Sequence, residues 1–341
     1  MNASPKIVFM GTPSFAVASL KALLDAKMNV VGVVTAPDKP AGRGMQLQQS
    51  AVKQFALEHQ LPIAQPEKLK SPEFFAQIQA WQPDLQIVVA FRMLPESIWS
   101  YPPMGTLNVH GSLLPKYRGA APINWAIING EKETGVTTFR LQHAIDTGDI
   151  LLQERIPISQ DMTAGELHDT MMEVGAQTLV KTLVGLIAGT IQSKPQEETL
   201  ASLHAPKIFT KDCQIDWQQP VAQIHNLIRG LAPFPGALTK VDGKIVKLFS
   251  TSIVHENPKE PAKMNLFFLV EAGPGQQKIF RSRTDNSNIL DDVSTIQKTF
   301  NTGGTRDYLI ADLNFDGFED ILFHVNYGQD LNTRIWLNNG D

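Results

Sequence analysis

The chain has 341 residues, of which 43% are hydrophobic and 19% are charged, and its formal net charge is −4. This composition fits a soluble globular protein with room for two or three domains, and it excludes a disordered or membrane protein. We find neither an apolar run of roughly 18–20 residues, as a transmembrane helix needs, nor a secretory signal. The single cysteine, Cys213, excludes a disulfide framework and a cysteine-built metal site, so we expect a cytoplasmic protein.

Short apolar strands alternate with helices through the first half of the chain. We predict strands at 6–10, 29–35, 62–65, 84–90, 106–111, 135–141 and 149–158. We predict helices at 14–27, 50–60, 71–81 and 163–190. Thr163 caps the last helix, and Glu166 completes a capping box. This alternation predicts an α/β fold with a doubly wound, mostly parallel sheet.

The character of the chain changes in its second half. Residues 264–341 hold eleven acidic and six basic residues, and only one of the 22 prolines, Pro274, lies beyond position 261. We therefore predict that two different units are joined near HENPKEPAKM (255–264). We predict four segments: an α/β domain at 1–190, a linker at 191–206, a small β-rich region at 207–257 and a β-rich tail at 264–341.

Polar side chains cluster where two of the predicted strands end. Asn108 and His110 lie at the end of one strand, and Asp146 follows another. Ligands of open parallel sheets bind beyond the carboxyl ends of the strands, where an imidazole, a carboxylate and an amide can perform proton transfer and stabilise an oxyanion. The same residues also fit a structural histidine and two turn-capping side chains, so their spacing alone does not decide between the two interpretations.

Four motifs, in the same order along the chain, resemble the methionyl-tRNA formyltransferase family. They are FMGTPSFAVASL near the amino terminus, PDKPAGRGMQLQQSAVKQFA at 37–56, NVHGSLLPKYRGAAPINWAI from Asn108 with the later DTGDI, and HAPKIFTKDCQIDW at 204–217. The resemblance covers roughly residues 1–255. It implies a formyltransferase-type, Rossmann-like catalytic domain followed by a domain of the OB type.

The resemblance also implies an activity. The family transfers the formyl group of N10-formyltetrahydrofolate to the α-amino group of methionyl initiator tRNA, and the residues that match its catalytic set are Asn108, His110 and Asp146. The residues that match its folate pocket are Phe91, Arg92, Leu94, Ser112, Leu113, Leu114 and Pro115. Lys39 and Arg43 lie in the PDKPAGRG loop, which in the family reaches the acceptor stem of the tRNA.

Two related activities use much of the same chemistry. A sugar-nucleotide formyltransferase shares HGSLLPKYRG, and a formyltetrahydrofolate hydrolase could direct water to the same carbonyl. The PDKPAGRG loop favours the tRNA enzyme over both, because neither rival needs it. The absence of the G-x-S-x-G motif argues against a nucleophilic role for Ser112.

The chain departs from the family in two places. Met45 and Gln46 stand where a more basic sequence is expected, which predicts fewer phosphate contacts to tRNA. We expect the OB-like region to begin near 207 and to stop near 255, and therefore to be partial.

The tail carries a different pattern, an oxygen-rich loop in YLIADLNFDGFEDILFHV (308–325). Its candidate ligands for Ca²⁺ are Asp312, Asn314, Asp316 and Asp320. The segment resembles FG-GAP or VCBS repeats, and the alternative is a solvated turn between two strands. If the loop binds Ca²⁺, the chain could be an interaction protein with an inactive enzyme-like domain, which is the rival hypothesis from another class.

Overall fold

A computed structural model describes residues 4–41, 46–197, 203–241 and 244–255, and the backbone of six further strands between 264 and 336. The chain divides into two compact units. The first comprises residues 1–126 and 131–207, and the second comprises 127–130 and 208–341. The predicted catalytic residues all belong to the first unit.

The first unit is an α/β structure. Its strands are β1 (Lys6–Gly11), β2 (Asn29–Val34), β3 (Lys39–Ala41), β4 (Gln46–Gln48), β5 (Ile63–Ala64), β6 (Leu85–Val89), β7 (Thr106–His110), β8 (Arg118–Gly119), β9 (Glu133–Arg140), β10 (Ile150–Pro157) and β11 (His204–Ala205). Its helices are α1 (Ser14–Asp25), α2 (Ala51–Glu58), α3 (Pro72–Trp81), α4 (Glu96–Trp99), α5 (Pro122–Ile128), which ends in the second unit, and α6 (Ala164–Ile187).

Seven of these strands form one sheet, in the order β10-β9-β7-β6-β1-β2-β5. The five strands from β7 to β5 are parallel, whereas β9 and β10 are antiparallel to their neighbours. The predicted doubly wound, mostly parallel sheet is therefore confirmed. The sheet changes from parallel to antiparallel pairing at β7, the strand that carries Asn108 and His110.

Side chains of the central strands alternate between the two faces of the sheet, and they are buried on both. On one face, Val8, Met10 and Val88 form a core with residues of α3 and α4. Ile7 and Phe9 point to the opposite face because successive strand residues alternate, and both are fully buried. The predicted capping box of α6 is confirmed, since the Thr163 hydroxyl accepts from the Glu166 N–H and the Glu166 carboxylate accepts from the Thr163 N–H.

The second unit contains a helix where the sequence suggested only strands. It includes a 3-10 helix (Thr210–Cys213) and α7 (Val221–Leu231). The buried residues Ile224, Ile228 and Leu231 follow helical spacing and pack against Cys213 and Leu238. The alternating residues on either side of this segment are typical of strands, and they obscure its helical spacing in the sequence.

The remaining elements of the second unit are strands. They are β12 (Ala237–Val241), β13 (Lys244–Leu248), β14 (Ser252–His255), β15 (Met264–Gly273), β16 (Gln276–Ser282), β17 (Leu290–Asp292), β18 (Arg306–Ala311), β19 (Asp320–Tyr327) and β20 (Asp330–Trp336). β14 pairs with β15, so one sheet includes residues from both sides of the predicted junction.

The predicted calcium loop falls between β18 and β19, which pair as antiparallel strands with Ala311 opposite Asp320. Asp312, Asn314 and Asp316 lie outside the described residues. Among the residues that the structure does describe, no cluster of three or more acidic, histidine or cysteine side chains could hold a metal ion. No helix in this described part is long and apolar enough to cross a membrane.

Candidate active site

Strand β7 brings two of the predicted catalytic residues to one side of the sheet. Asn108 and His110 are two residues apart, and side chains with this spacing project from the same face of a strand. Backbone pairing places Asn108 between Val88 of β6 and Phe139 of β9, and places His110 opposite Thr137. Asn108 is partly exposed, and within the described residues its side-chain amide has no hydrogen-bond partner. It is therefore free to donate to a ligand.

The orientation of the His110 ring is fixed by a backbone carbonyl. His110 is 7% exposed, and its Nε2 lies 2.9 Å from the carbonyl oxygen of Tyr117. A carbonyl oxygen can only accept, so Nε2 must carry a proton and donate it. The second ring nitrogen, Nδ1, is then the one whose protonation can change. The ring also makes an edge contact with Phe139, at 6.4 Å between centroids.

Asp146 faces this second nitrogen. Its Oδ2 lies 3.7 Å from His110 Nδ1 and accepts a hydrogen bond of 3.0 Å from the backbone N–H of Gly119. The distance to Nδ1 is longer than a direct hydrogen bond, but an imidazolium at that distance is still strongly attracted to the carboxylate. Asp146 has φ 54°, a left-handed backbone conformation that non-glycine residues rarely adopt. The structure therefore brings together all three residues of the predicted catalytic set.

The loop of predicted folate-binding residues after β7 is fastened to the sheet by Thr137. The Thr137 hydroxyl donates to the Ser112 carbonyl at 2.6 Å and accepts from the Leu114 N–H at 3.1 Å. Gln153 of β10 donates to both the Leu114 carbonyl and the Thr137 hydroxyl, each at 2.9 Å. Leu114 and Pro115 are buried, whereas Leu113 is partly exposed. The sheet thus fixes the backbone of this loop.

The Ser112 side chain has a structural role in the same loop. It is fully buried, and its hydroxyl donates to the Lys116 carbonyl at 2.6 Å. A hydroxyl that is buried and already donating is poorly placed to attack a substrate. This geometry agrees with the sequence argument against a nucleophilic serine.

The turn after β6 carries the other predicted folate-binding residues. Leu94 is buried in the core beneath α3 and α4, and Phe91 packs against that core. Arg92 donates to the backbone carbonyls of Pro66 and Glu67, and partial burial lowers the pKa of its guanidinium. The two hydrogen bonds from Arg92 therefore tie this turn to the backbone at 66–67, and Leu94 anchors the turn in the core.

The described part of the predicted tRNA-binding loop includes a short two-stranded ribbon. β3 and β4 pair as a short antiparallel ribbon, and the exposed Lys39 begins it. Asp38, directly before the ribbon, makes a salt bridge of 2.5 Å with Lys53 and accepts a hydrogen bond from Gln65 at 2.8 Å. The hydrogen bond from Lys53 is the main reason why the pKa of Asp38 lies below its ordinary value. Arg43 lies outside the described residues.

Sequence reasoning missed four residues that support this site. Tyr117 orients His110, Thr137 and Gln153 hold the loop at 112–115, and Gln196 donates to the backbone on either side of Thr147. Only Tyr117 lies within the motif that carried the resemblance at the site. The contacts of the other three with the site join residues 23 to 50 positions apart, which no local pattern reveals.

Known proteins are similar to this chain in sequence. The "Formyl transferase" family model matches residues 5–183, and the model "Formyl transferase, C-terminal domain" matches 207–290, which extends past the predicted boundary at 257. A methionyl-tRNA formyltransferase of Bacteroides fragilis is 52% identical over 72% of this chain and 78% of its own length. One from Ruminiclostridium cellulolyticum is 51% identical over 73% of this chain and 80% of its own.

Solved structures share the fold at lower identity. An N-formyltransferase from Helicobacter canadensis, solved with folinic acid and dTDP-3-aminofucose, is 20% identical with a TM-score of 0.57 and covers 77% of this chain and 95% of its own. HypX from Aquifex aeolicus, in complex with tetrahydrofolic acid, is 18% identical with a TM-score of 0.56. That match covers 81% of this chain and 46% of HypX.

The fastening of the loop at 112–115 predicts a difference between two threonines of β9. Thr137→Val removes a hydroxyl with three hydrogen bonds and should lower the free energy of unfolding by about 1–3 kcal/mol, because buried partners lose theirs. Thr134→Val is the matched control, since the Thr134 hydroxyl is buried without a partner in the described structure. It should leave stability unchanged or raise it. Urea denaturation followed by circular dichroism measures both, and equal losses would contradict the assignment.

Proposed function

The chain belongs to the methionyl-tRNA formyltransferase family, and on that premise we propose that it transfers the formyl group of N10-formyltetrahydrofolate to the α-amino group of methionyl initiator tRNA. The observation that carries the proposal is the convergence of Asn108, His110 and Asp146 at one edge of the sheet. Relatives that are about half identical in sequence and carry this activity in their names support the choice of acceptor. A cytoplasmic location would follow from such a substrate and stays a prediction.

The reaction begins with attack of the free α-amine on the formyl carbon. An α-amine has a pKa of about 8, so a useful fraction is unprotonated near neutrality. The attack converts the formyl oxygen into an oxyanion and leaves a positive charge on the attacking nitrogen. The Asn108 amide, which is free of other described partners, is suited to donate to the oxyanion, and one such donor typically contributes about 3 kcal/mol.

His110 and Asp146 then transfer the proton of the attacking amine. Because Nε2 of His110 is committed to the Tyr117 carbonyl, Nδ1 is the nitrogen that takes the proton from the attacking amine. The Asp146 carboxylate, 3.7 Å away, stabilises the resulting imidazolium. Collapse of the tetrahedral intermediate breaks the bond from carbon to N10, and the proton on Nδ1 passes to the departing N10. No covalent intermediate with the protein is required.

The folate would lie beside this set. The loop at 112–115 and the turn at 91–94 border the same sheet edge, and we propose that Phe91, Arg92, Leu94, Ser112, Leu113, Leu114 and Pro115 form its walls. By the contacts described above, most of these residues hold the backbone of the loop and of the turn in place. The Ca²⁺ hypothesis for the tail also stays a prediction, since three of its four candidate ligands are outside the described residues.

The catalytic assignment predicts a large loss of turnover in three variants. We expect kcat to fall about 10²–10⁴-fold in each of Asn108→Ala, His110→Asn and Asp146→Asn. The first removes the donor to the oxyanion, the second removes the base, and the third removes the charge that stabilises the protonated base. The measurement is formylation of charged initiator tRNA under saturating substrates. Asp149→Asn, in the same DTGD sequence, is the control and should stay within about twofold of the unchanged protein, because within the described residues its carboxylate has no hydrogen-bond or ion-pair partner to lose. Near-normal turnover in Asp146→Asn would reject its role.

The acceptor assignment predicts a separate effect on tRNA binding. We propose that Lys39 and Arg43 contact the tRNA, so Arg43→Ala should raise the KM for methionyl-tRNA and make binding less sensitive to salt, because one phosphate contact is lost. The KM for the folate should not change. Arg155→Ala, an exposed arginine of β10, is the matched control. Formylation of a sugar-nucleotide amine as efficiently as of methionyl-tRNA would instead favour the sugar-nucleotide formyltransferase. Equally efficient hydrolysis of the formyl donor by water would favour the hydrolase.

A further inference from the structure

Residues 191–197 and 203–207 are the last described residues of the first unit, and they contact both loops of the candidate site. Lys194 exchanges two backbone hydrogen bonds of 2.8 Å with Ile150, directly after the Asp146 loop. Further along, the Leu203 carbonyl accepts from the N–H of Tyr117, the residue that orients His110. The segment that the sequence marks as a linker therefore lies along the catalytic edge of the first unit.

Gln196 makes the most specific of these contacts. Its Nε2 donates to the Asp146 carbonyl at 2.9 Å and to the Gly148 carbonyl at 2.7 Å. Its Oε1 accepts from Nε and Nη2 of Arg118, at 3.1 and 2.7 Å. A guanidinium can only donate and a carbonyl can only accept, so both sides require the same orientation of the amide. All the donors and acceptors of the Gln196 side chain are used.

The Asp146 loop needs such support because its backbone is constrained. Asp146 has a left-handed φ of 54°, which the surrounding structure must maintain. Two residues on, a Cβ added to Gly148 would lie 1.6 Å from the Arg140 carbonyl oxygen, so this position accepts only glycine. The loop thus packs closely against the end of β9 on one side. On the other side, the carbonyls of Asp146 and Gly148 both receive their hydrogen bonds from Gln196.

We propose that Gln196 is a positioning residue for formyl transfer: it joins Arg118 to the backbone at 146–148 and so keeps the Asp146 carboxylate opposite Nδ1 of His110. This inference rests on the function proposed above. Gln196 does not touch the reacting atoms in this account. It acts through Asp146, whose carboxylate is held on the other side by the Gly119 N–H.

The test compares three variants with the unchanged full-length protein. Gln196→Met keeps the length of the side chain without its polar groups. Gln196→Glu keeps an acceptor for Arg118 but places an oxygen against the two carbonyls. Gln192→Met is the matched control, because Gln192 is an exposed residue of the same segment. Each protein is assayed for kcat and for both KM values, and amide hydrogen exchange is measured in the peptide that covers 142–150.

We expect Gln196→Met to lower kcat about 10–100-fold, as displacement of a catalytic group by about an ångström does, with both KM values within about twofold. Gln196→Glu should not rescue turnover, although it retains the contact with Arg118. Both variants should exchange faster at 142–150, and Gln192→Met should match the unchanged protein in every measurement.

The proposal would be overturned by unchanged kcat in Gln196→Met, by unchanged exchange at 142–150, or by rescue of turnover in Gln196→Glu. A parallel rise of both KM values together with a lower melting temperature would assign Gln196 a general structural role and would also overturn it. Failure of the proposed function has a different signature. In that case the unchanged protein would not formylate methionyl-tRNA, while the exchange measurement would still report on the loop.

Discussion

The hydrogen bond from His110 Nε2 to the Tyr117 carbonyl is the constraint on which the account of this site depends. It commits one ring nitrogen to the backbone and leaves Nδ1 facing Asp146 at 3.7 Å. Without it the ring could rotate or change tautomer, and the carboxylate would have no defined proton to stabilise. Tyr117 itself has φ 60°, so a residue in a rare backbone conformation presents the carbonyl that orients the histidine.

The sheet explains why these groups meet. β7 is the last of the parallel strands and pairs with the antiparallel β9, so the loop after β7 lies beside side chains of β9 as well as the loop before β10. Thr137 of β9 can therefore hydrogen-bond to the loop at 112–115, and Asp146, in the loop before β10, can face His110. A fully parallel sheet would need a longer crossover between β9 and β10, and the DTGD loop would not fit there.

The features that the sequence predicts are those that depend on a local residue pattern or on the family resemblance. Strand and helix periodicity located the main sheet, and the Thr163 capping box was confirmed. Asn108, His110 and Asp146 were selected because family motifs mark them, although their spacing alone left them undecided. Gln196 and Thr137 could not be found this way, because each makes contacts that only the folded chain creates. α7 was missed because a strand-like alternation on both sides outweighed the helical spacing within it.

The most direct test is the tautomer of His110, measured by long-range ¹H–¹⁵N NMR of the histidine-labelled protein at a pH where the ring is neutral. His110→Asn identifies the signal. We expect a proton on Nε2 and none on Nδ1, since a backbone carbonyl accepts from Nε2. A neutral ring with its proton on Nδ1 would mean that Nδ1 cannot receive the proton of the amine, and the proposed transfer would be contradicted.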